Sequence, residues 1–350
     1  MKKALITGIS GQDGAYLSQL LLSKGYKVFG TFRRASTSNF WRLQNLGIDK
    51  KITLIPADLL DTGSLFKALE ISDPDEIYNL AASSSVATSF EEAVQNAEVT
   101  GYAVTKFLEA IRQQNSDIKF YQASSSEMFG NNNLKLQVEK SPFSPSSPYA
   151  AAKSYAHYIT NIYRQSYDIF ACSGILFNHE SPLRGLEFVT RKITNAVAEI
   201  SLGLRDELVL GNLEVKRDWG FAGEYMEAIY RMMQQDKPDD FIISTGISHS
   251  VTDFVKEAFH QVDLDWKKYV KTDKRFFRPF EVNFLKGNSK KATKELGWKP
   301  KITFKKLVKI MVDEDVKRWN NFLDGKVFAW DAPLYPREDK LIKRLSKGKN

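Results

Sequence analysis

The opening segment restricts the fold most. Lys3-Ala4-Leu5-Ile6-Thr7 is a short apolar run, and Gly8-Ile9-Ser10-Gly11-Gln12-Asp13-Gly14 follows it directly, before a helical pattern over Tyr16–Lys24. Glycines at such a point permit a tight turn and let backbone N–H groups approach an anion at the start of a helix. The motif by itself is also what a plain glycine-rich turn looks like. A strand before it and a helix after it turn the reading toward a dinucleotide pyrophosphate site, with Gly8, Gly11, Gln12, Asp13 and Gly14 in contact.

The alternation continues. Strand-like runs fall at Lys3–Thr7, Lys27–Phe32, Ile52–Pro56, Glu76–Ala81, Lys119–Ala123 and Ile169–Phe177, with helical stretches such as Ser64–Leu69 and Val99–Gln113 between them. That order predicts an α/β fold: a Rossmann-like, doubly wound parallel sheet that places ligands beyond the carboxyl ends of its strands. Past residue 180 the alternation breaks down, and Arg184–Lys192, Leu208–Trp219 and Lys274–Glu281 mix charge, aromatics and glycine. The expected organisation is a dinucleotide-binding domain over 1–180, a smaller α/β substrate-binding lobe mainly over 181–330, and a basic tail over 331–350. Gly223–Gln235 and Asp240–Thr245 read as helix then strand, so about 205–250 is expected to return to the first domain.

Composition removes several function classes. No apolar run is long enough to span a membrane, and Met1-Lys2-Lys3 leads straight into the first strand, so a cytoplasmic protein is expected. The single cysteine, Cys172, sits in an apolar run and reads as core; no Cys/His cluster has metal-ligand spacing. The net charge of +8 is partly a tail effect, because residues 331–350 hold six Lys/Arg against three Asp/Glu. The remaining excess is dispersed, which argues against nucleic acid as a partner and for anionic small molecules.

The chemistry concentrates between residues 125 and 153. Tyr149 and Lys153 lie four apart on a helical pattern and so share a face. A cation beside a phenol is expected to lower its pKa, fitting Tyr149 to act as a base toward a hydroxyl that loses hydride. Ser125 and Glu127 follow the fifth strand; a serine-rich turn and a surface acid are the plain alternatives. With the Tyr/Lys pair nearby, Glu127 becomes a second acid/base, which suggests oxidation followed by elimination, and its partial burial is expected. Arg33-Arg34-Ala35-Ser36 ends the second strand where an acid would grip a ribose 2′-hydroxyl. Paired arginines suit a 2′-phosphate, hence NADP, although exposed arginines can be mere surface charge. Asp58, after the third strand, fits an adenine contact, with helix capping left to Asp61.

These residues resemble the extended short-chain dehydrogenase/reductase family and, more narrowly, the GDP-mannose 4,6-dehydratases, over roughly residues 1–320. The most specific stretch is Leu176-Phe177-Asn178-His179-Glu180-Ser181-Pro182-Leu183-Arg184-Gly185, continued by Phe188-Val189-Thr190-Arg191-Lys192, Lys216-Arg217-Asp218-Trp219-Gly220 and Arg278-Pro279 with Glu281. The resemblance implies catalytic Ser125, Glu127, Tyr149 and Lys153, with Ser125 where the family usually has threonine. It implies NADP contacts from Leu59, Leu80, Ala81, His179 and Arg184, and GDP-sugar contacts from Ser84, Ser85, Asn178, Val189, Lys192, Arg217, Arg278 and Glu281. Taken alone, His179 and Trp219 read as core or hydrogen-bonding residues. It also implies a homo-oligomer, a dimer or a tetramer. Ser83 and Ser85 stand where relatives carry larger side chains, which leaves room for a GDP-manno-heptose as well as GDP-mannose. A reductase or epimerase of the same family would keep Tyr149 and Lys153 without needing Glu127. A non-catalytic dinucleotide-binding protein would need none of the three.

Overall fold

A computed structural model describes residues 1–37, 39–132, 134–277 and 280–335. The first half builds β1 (Lys3–Thr7), α1 (Gln12–Ser23), β2 (Lys27–Phe32), α2 (Trp41–Asn45), β3 (Thr53–Pro56), α3 (Thr62–Ser72), β4 (Glu76–Asn79), α4 (Val86–Ser89), α5 (Ala93–Asn96), α6 (Ala103–Gln114), β5 (Lys119–Ser125), α7 (Pro148–Tyr167) and β6 (Ala171–Leu176). Asp61 caps α3 by accepting from Gly63 N–H, as expected of that residue. Ser147 caps α7 by accepting from Ala150 N–H, and Pro148 supplies the fixed φ suited to a first helical turn.

The second half adds β7 (Asn178–Glu180), α8 (Val189–Ser201), β8 (Leu208–Leu210), β9 (Lys216–Phe221), α9 (Ala222–Met233), β10 (Phe241–Ile243), β11 (Ser248–Ser250), α10 (Val251–His260), β12 (Val270–Thr272), α11 (Lys290–Leu296) and α12 (Phe304–Leu323). Seven strands form one sheet in the order β10-β6-β5-β4-β1-β2-β3, every neighbouring pair parallel. Both faces of its centre are covered, so β1 is apolar along its length and Ala4, Leu5 and Ile6 have no exposure. Alternate side chains feed two cores. Ala4, Ile6, Val28, Tyr78 and Tyr121 pack with α1 and α9, whereas Leu5, Phe29, Ile77 and Phe120 pack with α3 and α6.

A third core joins α8, α10 and α12 to β8 and β9 through Ile193, Val197, Trp219, Phe254 and Met311. Here β9 lies between β7 and β11, parallel to the first and antiparallel to the second. Of the stretches that looked irregular in sequence, Leu208–Trp219 holds β8 and most of β9, and Arg184–Lys192 runs into the start of α8. Among the described residues, no helix is long and apolar enough to cross a membrane.

Candidate active site

Two cavities, of about 310 and about 400 Å³, open at the carboxyl ends of the central strands and meet at Asp13, Leu80, Ala82, Ser84 and Arg184. The glycine turn walls the larger one. Gly8 has φ +69°, and a Cβ on Gly14 would lie 2.5 Å from Gly8 O, so this turn tolerates no side chain there. Helix α1 begins at Gly11 without a side-chain cap, which leaves its first amides to serve a ligand. Thr31, Phe32, Arg33, Asp58, Leu59, Leu80 and Ala81 complete this wall. Of the expected pair, Arg33 reaches the cavity; Arg34 and Ser36 are exposed and lie outside its lining. Asp58 uses one carboxylate oxygen to accept from Leu60 N–H.

The smaller cavity holds Ser125, Glu127, Tyr149 and Lys153 together. Strand β5 ends at Ser125, whose hydroxyl accepts from Glu127 N–H at 3.3 Å and also bonds the Tyr149 phenol. Glu127 is 7 % exposed, matching the expected burial. Arg217, on β9, brings its Nε to 3.6 Å from Glu127 Oε1 while one terminal nitrogen meets Glu281 Oε1 at 3.2 Å.

The Tyr149/Lys153 geometry corrects one expectation. The two do share a face of α7, but Lys153 Nζ donates to Ala123 O at 2.6 Å and lies 5.8 Å from the Tyr149 ring centre. Burial pushes the Tyr149 phenol up to about 12, against the lowering effect of its Ser125 bond. Burial likewise brings Lys153 down to about 8, with only the Asp13 charge resisting. Desolvation outweighs what Ser125 and Arg184 do to lower the phenol, and burial is invisible in a sequence.

At the junction, His179 Nε2 lies 2.9 Å from Asp13 Oδ2 and Nδ1 lies 2.7 Å from Phe177 O. Both ring nitrogens face acceptors, an arrangement that favours the imidazolium. Although burial opposes each charge, the pair wins: Asp13 falls to about 2, helped by Arg184, and His179 is raised. The ring also stacks on Tyr225 at 4.9 Å between centres.

Ser84, Ser85, Asn178, Val189, Lys192, Arg217 and Glu281 all line the smaller cavity, while Arg278 lies outside the described residues. Asn178 Oδ1 is buried without a hydrogen-bond partner, an acceptor available to a ligand. Sequence reasoning passed over Glu187, Phe188 and Phe276, which also line it. Lys192 Nζ sits 4.6 Å above the Phe276 ring, and a Phe beside Phe277 among basic residues carries no signal of that role. Among the described residues, no His/Cys/Asp/Glu group suits a metal ion.

Residues 5–311 match the family model described as GDP-mannose 4,6 dehydratase. The chain belongs to the GDP-mannose 4,6-dehydratase family. It is accordingly an enzyme, a nucleotide-sugar hydro-lyase of the extended short-chain dehydrogenase/reductase type. It is 52% identical to GDP-mannose 4,6 dehydratase 1 of Arabidopsis thaliana over 326 residues, covering 90% of each chain. It is 45% identical to the Yersinia enterocolitica GDP-mannose 4,6-dehydratase over 368 residues, covering 95% of this chain and 99% of that one. In fold it is similar to a Bacillus anthracis dTDP-glucose 4,6-dehydratase solved with NAD, at TM-score 0.80 and 19% identity over 96% of this chain and 100% of that one.

Proposed function

We propose that this family member removes water from a GDP-linked manno-sugar, using NADP that is regenerated in each turnover, to give the 4-keto-6-deoxy sugar. The observation that carries the reading is the burial of Glu127 in the same cavity as Ser125 and Tyr149, adjoining the cavity walled by the glycine turn. The glycine turn and the uncapped α1 N-terminus suit a diphosphate, and Arg33 at the end of β2 suits a 2′-phosphate. Gln12, Asp13, Asp58, Leu59, Leu80, Ala81, Lys153, His179 and Arg184 would complete that site. When bound, NADP supplies a reversible hydride acceptor.

Tyr149 takes the proton from the sugar 4-hydroxyl as its own phenol proton passes to the neutral Lys153 amine. The resulting ketone acidifies C5–H, and Glu127 removes that proton and passes it to the departing 6-hydroxyl, which leaves as water. Ser125 bonds the phenol and orients the Glu127 backbone. The proton held by Tyr149 then returns to the sugar, so one water is the net loss. Lys192 and Arg217 supply positive charge for the GDP diphosphate, and Asn178 offers its unpartnered oxygen.

The reading extends to a heptose. Ser84 and Ser85 line the sugar cavity, although Ser83 lines the dinucleotide cavity and Ser85 Oγ is engaged in capping α4. Of the two departures from relatives, Ser83 and Ser85, extra room therefore rests on the small side chain of Ser85 alone. Self-association and a cytoplasmic setting belong to the same reading. The exposed Tyr102, Tyr155, Tyr158 and Ile162 beside and along α7 support the former.

Incubation with GDP-mannose and with GDP-manno-heptose, followed by mass spectrometry, tests it. Loss of one water without net NADPH formation is expected. A net change in NADPH absorbance during turnover would favour a reductase, and a strong preference for GDP-mannose would rule out the heptose extension.

A further inference from the structure

Helix α2 places Arg42 between the two cavities. Its Nε donates to Leu183 O at 2.6 Å and Nη1 donates to Ser10 O at 3.1 Å, while the guanidinium lies 4.7 Å from the ring centre of the buried Trp41. Ser10 belongs to the glycine turn of the larger cavity. Leu183 immediately precedes Arg184, which lines both cavities, and the same segment continues into Glu187 and Phe188 of the smaller one. One rigid planar fork thus joins two loops that serve different ligands.

The seam around it is built in the same manner. Gln12 Nε2 donates to His179 O at 3.1 Å, and the Ser181 hydroxyl donates to Gln12 Oε1 at 2.7 Å. The far side of the second loop is fixed from elsewhere in the fold. Arg191 donates to Pro182 O at 2.9 Å and to Arg184 O at 3.0 Å, and Arg318 donates to Pro182 O at 2.7 Å. Three arginines hold three successive carbonyls, and Arg42 also bonds the glycine turn.

We propose that Arg42 is a positioning residue that couples the two loops, so that NADP and the GDP-sugar each strengthen the binding of the other. The proposal rests on the reading of the cavities given above. A ligand that shifts one loop shifts the carbonyl on the other through this fork, and the next ligand meets a loop already in place. Linkage makes the effect reciprocal. For a reaction that regenerates its cofactor, such coupling keeps NADP in place while sugar is bound.

The test is calorimetric titration of GDP into the full chain, with and without saturating NADP. GDP should bind the unaltered protein at least about fivefold more tightly when NADP is present. In Arg42→Met that ratio should fall to about one, and in Arg42→Lys, which keeps the charge but loses the fork, it should fall part of the way. In turnover at saturating NADP, KM for the GDP-sugar should rise by a larger factor than kcat falls. An unchanged ratio in Arg42→Met, or a ratio of one in the unaltered protein, overturns the coupling while leaving the site reading intact. Failure of the unaltered protein to bind either nucleotide overturns both. Should Arg42→Met not fold, Arg42→Lys decides alone, a reduced ratio supporting the proposal and an unchanged one overturning it.

Discussion

Arg217 Nε stands 3.6 Å from Glu127 Oε1, and both side chains are almost wholly buried. The two come from different cores, one from β9 and the other from the turn after β5, so the acid/base is aimed by a residue 90 positions away. Arg217 is itself held by Val282 O at 2.7 Å and by Glu281. Replacing Glu127 by Gln keeps the shape and removes the acid/base. The variant should lose about 10²- to 10⁴-fold in kcat while binding NADP as before. Normal water loss by Glu127→Gln, measured by mass spectrometry, would sink the mechanism.

The Tyr149/Lys153 pair predicts a pH profile. With Lys153 at about 8 and Tyr149 at about 12, the first proton leaves the pair near pH 8. Neutral Lys153 can then receive the phenol proton while Tyr149 takes the sugar's, so kcat/KM should climb through about pH 8. Lys153→Met should abolish that limb and leave a slow rate. A flat profile between about pH 6 and 10, each limit being about two units either side of the expected inflection, would contradict the assignment.

The Asp13–His179 pair predicts a stability window. Asp13 falls from 3.8 to about 2, so its contribution is present above about pH 4 and is lost as pH drops toward 2. His179 is raised, so its contribution is complete below its ordinary value of about 6.5 and is lost as pH rises through the folded value. The Asp13 part is about 2 kcal/mol. Unfolding curves of Asp13→Asn against the unaltered protein should differ most between about pH 4 and 6.5 and converge at acid pH. Curves that stay parallel down to pH 2 would refute the ion pair.

Gly14→Ala should damage the dinucleotide site. Its Cβ would lie 2.5 Å from Gly8 O and 2.8 Å from Ile9 Cα, both backbone atoms that cannot swing aside. The expected cost is about 1–3 kcal/mol, seen as a lower unfolding midpoint and weaker NADP binding in a fluorescence titration. Unchanged affinity would show that the turn has slack the packing does not suggest.

The strand–turn–helix start and the alternation behind it were legible because a parallel sheet covered on both faces demands continuous apolar strands. β1 and β2 lie where the pattern places them. β10 lies inside the Asp240–Thr245 run read as a strand, whereas β7, β8, β11 and β12, three residues each, were too short for a periodic signal. Arg42 offered no sign of its role. An arginine reads as surface until two carbonyls distant in sequence converge on it.

The order of residues alone determined the sheet, the glycine turn and the sharing of one helical face by Tyr149 and Lys153, since these follow from local periodicity and backbone sterics. Only the folded chain decided the charges at the site. Burial set the phenol and ammonium against their sequence expectation, and contacts across the fold favoured the imidazolium of His179 and placed Arg217 against Glu127. Desolvation and long-range proximity are properties of packing, and no local pattern encodes them.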